Sequence, residues 1–206
     1  MDGCCFLRAS FLHFHVLFEK GGNIRTKLLS SLAPVFFGDL SQMLKEYLIL
    51  QICRLTDAEE MRGDKNLTIS FFVNNADFSQ TPREGARLAE VSGSIHEFRK
   101  LILPARHKIV SHQDREAALD GKPLGAASKE AWDQFWKDLR EFVQIIHRRH
   151  IDPHQGLDID DIVGLTDAED LVTALKQSTY FTTLMRDAGL LERCMDVAEG
   201  SEYFDA

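Results

Sequence analysis

Residues 128–149 read SKEAWDQFWKDLREFVQIIHRR, and this stretch decides the fold class. Its large apolar side chains recur every three or four positions, at Trp132, Phe135, Leu139, Phe142, Val143 and Ile146. This spacing follows the 3.6-residue turn of an α-helix and not the alternation of a strand. The stretch therefore predicts a long amphipathic helix whose aromatic stripe packs in a core, an interpretation favoured over stacking of these rings on nucleic-acid bases.

Similar periodicity extends in both directions along the chain. We predict helices over residues 6–19, 24–56, 67–75, 81–112, 166–176 and 179–194. Pro34 is expected to break or kink the second helix, and Pro104 to bend the fourth. A polar loop is expected over residues 57–66. Because strand signals are weak, the fold class is all-α, a helical bundle.

Composition limits the classes of function. A chain of 206 residues with 44% hydrophobic residues can bury the core of one ordinary domain. Its formal net charge of -8 argues against a broad basic surface that coats nucleic acid, and no DNA partner is expected. A local basic cleft that acts on RNA remains compatible with an acidic body.

The cysteine pattern and the hydropathy predict a cytoplasmic protein without membrane contact. The four cysteines form neither a disulfide framework nor a zinc-type pair of pairs, which favours a reducing compartment. Residues 1–18 lack the pattern of a signal peptide and are expected to form a packed helix. No run approaches the roughly 20 apolar residues that span a bilayer. We predict no metal and no cofactor.

The segment that points most clearly to chemistry is residues 106–112, RHKIVSH. The Arg106 guanidinium is always charged and can donate bidentate hydrogen bonds to phosphate oxygens. The His112 imidazole titrates near neutral pH and can move a proton to or from a ribose hydroxyl or a leaving oxygen. With the 2'-hydroxyl as internal nucleophile, the two side chains could cleave RNA without a metal ion.

The helix geometry complicates this pairing. On an ideal helix a step of six residues rises ~9 Å and turns through ~240°, so that Arg106 and His112 would not share a face. They could converge if the helix bends near Pro104 or ends before His112, or if two copies meet across a two-fold axis. Judged by spacing alone, such a pair is more often a coincidence than a catalytic site.

Residues 106–114 resemble the signature of the HEPN superfamily, which is an arginine, then a polar residue, then a histidine four to six residues after the arginine. Further segments are similar to the AbiU-type branch, which is associated with abortive infection: LAPVFFG at 32–38, CRLTD at 53–57 and KNLTI at 65–69. The resemblance covers roughly residues 10–150.

The resemblance implies a HEPN-like helical bundle over residues 1–152. The remainder, residues 153–206, is then a C-terminal helical extension packed on or beside the bundle. Proteins of this superfamily are usually homodimers with the motif in a cleft at the dimer interface. Many are metal-independent endoribonucleases of phage-defence or toxin–antitoxin systems, which implies RNA as substrate and an antitoxin protein as a partner.

The resemblance also implies roles for individual residues. Arg106 would hold the scissile phosphate and His112 would act in proton transfer. His107 occupies the polar position after the arginine, where it would help to orient the site, and Lys108 adds a neighbouring positive charge. Asp114 follows the motif, and its proximity in sequence suggests that it orients His112.

Two other functions stay open at this point. The chain is alternatively a catalytically inactive HEPN module that binds a nucleotide, RNA or a protein partner and dimerises. A plainer alternative is a helical scaffold in which Arg106 and His112 are structural. Arg54 and Asp57 are interpreted as a helix-end salt bridge or cap, with support of the active-site cleft as the sharper alternative.

A basic, histidine-rich segment lies at residues 147–154. Its cationic side chains are interpreted as stabilising the C-terminal end of a helix. A zinc site is conceivable because His147 and His150 lie one turn apart, but no cysteine or carboxylate set completes it apart from Asp152. Contact with RNA is a minor alternative.

Overall fold

The computed structural model describes residues 2–61, 63–110, 127–161 and 166–190, and the fold there is an all-α bundle, as predicted. The helices are α1 (Asp2–Phe14), α2 (Gly22–Leu32), α3 (Pro34–Leu55), α4 (Ile69–Asn75), α5 (Pro82–Val110), α6 (Lys129–His150) and α7 (Asp167–Asp187). A π-helical turn, His15–Glu19, continues α1. Across the described ranges, no helix is long and apolar enough to cross a membrane.

The core lies where the predicted stripe of α6 meets α5. Leu139 is completely buried, and Phe135 of α6 stacks on Phe98 of α5 with ring centroids 4.5 Å apart. Trp132 is partly buried and stacks on Phe11 of α1 at 5.4 Å. Ser128 caps the helix, since its hydroxyl accepts a hydrogen bond from the Ala131 amide. The packing confirms that these rings belong to the core.

Helices α3 and α5 complete the bundle around the same core. Ile52 and Cys53 of α3 and Ile95 of α5 are completely buried. The predicted break at Pro34 is confirmed, because α2 ends at Leu32 and Pro34 begins α3, where its missing amide hydrogen costs no helical hydrogen bond. Helix α5 continues through Pro104 and remains helical to Val110.

Two local predictions differ from the structure. The segment expected as a loop contains a minimal antiparallel hairpin, β1 (Glu60–Met61) and β2 (Asp64–Lys65). Strands of two residues are too short to produce a detectable alternation. The helices predicted over 166–176 and 179–194 are one continuous helix, α7, within the described residues. Gln177 and Ser178 are exposed on its surface and do not interrupt it.

Helix α7 docks on the turn that follows α1. Val172 is buried with Val16 and Leu17, and Glu169 forms ion pairs with Lys20 at 2.7 Å and Arg25 at 3.1 Å. The distal half of the helix leaves large side chains exposed, among them Tyr180 and Phe181. The division of the chain at residue 152 stays a prediction.

The docking of α7 is expected to weaken in acid. The hydrogen bond from Lys20 and the attraction of Arg25 lower the pKa of Glu169. A carboxyl group with a lowered folded-state pKa stabilises the fold above its unfolded pKa, about 4.3, and this stabilisation is lost as pH falls through the lower folded value. The amide chemical shifts of Ala168 and Val172, followed by NMR from pH 7 downward, measure the effect.

Glu169→Gln should remove this pH dependence of the docking, whereas Asp170→Asn, at the exposed carboxylate next to it, should retain it. A Glu169→Gln protein with the pH profile of the unsubstituted chain would show that this ion pair does not hold α7.

Candidate functional site: a paired-arginine cluster at the end of α3

One face of α5 carries two arginines that meet the C-terminal end of α3. Arg99 and Arg106 are seven residues apart, which places them two helical turns apart on the same face. Thr56 is the C-cap of α3, and Asp57 follows it directly. The sequence thus places a carboxylate opposite two guanidinium groups.

Asp57 binds both arginines. Arg106 makes a bidentate contact with it: Nη1 donates to Oδ1 at 3.0 Å and Nη2 donates to Oδ2 at 3.3 Å. Nη2 of Arg99 donates to Oδ1 of the same carboxylate at 2.6 Å. Charge-assisted hydrogen bonds of this kind fix both the distance and the plane of the guanidinium. The cluster contains two positive charges and one negative charge, and therefore an excess of one positive charge.

Asp57 and Arg99 are held in place by the end of α3. The buried Thr56 hydroxyl donates to the Ile52 carbonyl at 2.7 Å. Nη1 of Arg99 donates to the Cys53 carbonyl at 2.8 Å and to the Thr56 hydroxyl oxygen at 3.1 Å. Arg99 therefore supplies the cation that a helix C-terminus favours, and it also pairs with Asp57. The contact between Asp57 and Arg106 agrees with the alternative interpretation that Asp57 supports the motif.

Cys53 lies beneath this cluster as a buried neutral thiol. Its side chain is completely buried. Burial raises the pKa of the thiol, and the nearby Arg106 and Arg99 offset only part of that rise. The predicted role of Cys53 as a small buried hydrophobe fits this environment.

The other predicted site residues are placed only in part. His107 follows Arg106 on α5 and is exposed. The backbone of Lys108 is helical. His112 and Asp114 lie outside the described residues. The convergence of Arg106 with His112 therefore stays a prediction.

Sequence reasoning missed Arg99 and a histidine one turn before it. His96 lies on the same face of α5, and its Nδ1–H donates to the Ser92 carbonyl at 2.7 Å. The other ring nitrogen of His96, Nε2, lies 3.3 Å from the Ser70 hydroxyl oxygen. The signal available in the sequence was the spacing of His96, Arg99 and Arg106 at three and seven residues, which defines one helical face.

A cavity of about 770 Å³ adjoins the cluster, and Asp57 forms part of its wall. Leu139, Phe142 and Val143 of α6 give it an apolar floor. Arg54 and Asn66 lie among its polar lining residues. Asp57 thus contacts the arginine pair and borders the cavity, whereas Arg99 and Arg106 lie outside the cavity lining.

The histidine-rich end of α6 is engaged in local packing. Nε of Arg149 donates to the Asp77 carbonyl at 3.1 Å, and His150 meets the ring of Phe78 edge-on at 5.6 Å. Among the residues that the structure describes, no group of three His, Cys, Asp or Glu side chains could hold a metal ion. These contacts favour the interpretation of this end as a cationic helix terminus.

Comparison with known families agrees with the predicted family resemblance. Residues 5–163 match the family model HEPN_AbiU2, described as AbiU2. The chain belongs to this HEPN family. No curated protein and no solved structure matches the chain. The match includes the AbiU2 segments around Asp57 and the whole of residues 106–114, and it ends before α7.

Proposed function

We propose that this HEPN protein is a metal-independent endoribonuclease of a phage-defence or toxin–antitoxin system. Arg106 holds the scissile phosphate and His112 acts in proton transfer. The observation that carries the proposal is that Arg106, within the matched family region, is a positioned guanidinium with both Nη atoms aligned by one carboxylate. This contact holds the guanidinium in a defined position and plane in the free protein, which lowers the entropic cost of placing it on a phosphate.

The reaction needs no group beyond the substrate and two side chains. The 2'-oxygen forms a bond to phosphorus while the bond from phosphorus to the 5'-oxygen breaks. The 2'-hydroxyl loses its proton and the leaving 5'-oxygen gains one, and His112 serves as the group that moves a proton near neutral pH. Arg106 stabilises the charge on the non-bridging oxygens. His107, Lys108 and Asp114 are the proposed supporting positions.

A homodimer is part of the proposal because of the length of α5. Helix α5 continues for four residues after Arg106, to Val110. If the same helix extended to His112, the step of six residues would turn through ~240°, and Arg106 and His112 of one copy would not share a face. A second copy that faces the first across a two-fold axis would bring an Arg106 and a His112 into one cleft. RNA is the proposed substrate, and an antitoxin protein is the proposed regulatory partner.

The test is RNA cleavage by the purified protein in EDTA. We expect cleavage to persist and the 5' fragments to end in 2',3'-cyclic phosphate. His112→Ala should abolish it. The proposal fails if the His112→Ala protein and the unsubstituted protein behave alike on RNA.

The second candidate is a HEPN module that binds without catalysis. It is favoured by the observation that Asp57 occupies both Nη atoms of Arg106. In that case RNA or a nucleotide binds without turnover, and His112→Ala changes affinity or stability only. The EDTA experiment separates the two candidates, because an inactive module leaves every RNA intact.

A further inference from the structure

We propose that Arg99 and Arg106 together form a two-guanidinium site for an RNA phosphate, and that Asp57 occupies this site in the free protein as an internal competitor. The identity of the ligand rests on the proposed function. Arg99 is then a substrate-binding residue, although it lies seven residues outside the motif.

The two arginines converge on one oxygen atom of Asp57. Nη2 of Arg99 and Nη1 of Arg106 both donate to Oδ1 of Asp57. The two nitrogens therefore lie within two hydrogen-bond lengths of each other. The two non-bridging oxygens of a phosphodiester accept bidentate hydrogen bonds from arginine as a carboxylate does, so one phosphate can accept from both guanidinium groups.

Arg99 has an anchor that does not depend on Asp57. Nη1 of Arg99 keeps its bonds to the Cys53 carbonyl and the Thr56 hydroxyl, which do not involve Asp57. Nη2 of Arg99 would then be available to an incoming anion, together with both Nη atoms of Arg106. Arg99 therefore keeps its anchor when one acceptor is exchanged for another.

The charge and the solvent exposure of the cluster also favour binding of an anion. Two guanidinium groups face one carboxylate, so the cluster retains a positive charge that favours an anion. The side chains of Arg99 and Arg106 are 20% and 27% exposed, whereas that of Asp57 is 13% exposed. Each arginine side chain is therefore more accessible to solvent than the carboxylate that both of them bind.

A competitor at position 57 would lower the affinity for phosphate, whereas a positioning group there would raise it. The two roles therefore predict opposite effects of Asp57→Asn. Asparagine keeps the size of the side chain and removes its negative charge. We expect Asp57→Asn to bind RNA about three- to tenfold more tightly, since a negative charge next to the phosphate is removed. Weaker binding by Asp57→Asn would overturn the role of Asp57 as a competitor.

The experiment measures the dissociation constant of a short, fully 2'-O-methylated RNA, which cannot be cleaved, at several salt concentrations. Arg99→Gln should weaken binding about tenfold or more and reduce the salt-dependence slope by about one phosphate contact. Lys100→Gln is the matched control, because it removes the same charge from the adjacent residue of α5, which pairs with Glu97. Its affinity should stay within about twofold of the unsubstituted protein.

Binding of Arg99→Gln that equals that of Lys100→Gln would overturn the assignment of Arg99. If Arg99→Gln does not fold, Arg99→Lys serves instead, since it keeps the charge and loses the planar fork. Arg99→Lys should bind more weakly than Lys100→Arg, and equal affinities would overturn the inference.

The probe keeps this inference distinct from the proposed function. If binding depends on Arg99 but ordinary RNA is not cleaved, the ribonuclease proposal is wrong and the two-guanidinium site is supported. If ordinary RNA is cleaved but binding does not depend on Arg99, the two-guanidinium site is wrong and the ribonuclease proposal is supported.

Discussion

Replacement of Arg106 by glutamine is expected to slow RNA cleavage by about 10²- to 10³-fold, the range found when one preorganised donor to a developing charge is removed. Glutamine retains one amide donor but neither the charge nor the two-pronged contact that Arg106 makes with Asp57. Asp57 keeps its hydrogen bond to Arg99, so its carboxylate is not left without a partner. The fold should therefore tolerate the change better than the activity does.

Single-turnover cleavage of a defined RNA in EDTA measures this effect and excludes product release from the rate. Lys100→Gln, on the same helix, serves as the control and should cleave at nearly the unsubstituted rate. Equal rates for Arg106→Gln and Lys100→Gln would remove Arg106 from the catalytic machinery. A thermal melt of both variants separates loss of function from loss of fold.

Leu139→Ala is expected to lower the free energy of unfolding by about 2–5 kcal/mol, the usual cost of truncating a fully buried leucine. Leu139 is completely buried in α6, at the centre of the aromatic stripe that meets α1 and α5. The missing methyl groups leave a cavity that the surrounding rigid rings cannot fill. This loss is a large fraction of the total stability of a domain of this size.

Urea denaturation followed by circular dichroism measures the change. Ile24→Ala is the matched control, since Ile24 is 79% exposed on α2 and its truncation should cost well under about 1 kcal/mol. A Leu139→Ala protein as stable as Ile24→Ala would contradict the placement of the core along α6.

The fold was predictable because its decisive signals are local. The spacing of Phe135, Leu139 and Phe142 within one helix defines the buried face of α6. Pro34 marks the start of α3 because the proline ring fixes φ and removes the amide hydrogen. Signals of this kind need no knowledge of the remaining chain. The extent of α7 was harder to predict, because polar residues in mid-helix resemble a break when their exposure is unknown.

The arginine cluster was predictable only in part, because it depends on tertiary contact. Arg106 was identified by its motif, but nothing in the segment around it shows that Asp57, 49 residues earlier, binds both of its Nη atoms. Arg99 carries no motif of its own. It becomes a candidate only when the end of α3 is placed against α5, so that one carboxylate meets both arginines.

The most direct test of the account is a crystal structure of the protein with a bound 2'-O-methylated RNA. We expect one phosphate within hydrogen-bond distance of Arg99 and Arg106, the Asp57 carboxylate displaced from Arg106, and a His112 imidazole next to the same phosphate. An RNA bound elsewhere, with the contact between Asp57 and Arg106 intact and His112 remote from any phosphate, would contradict it.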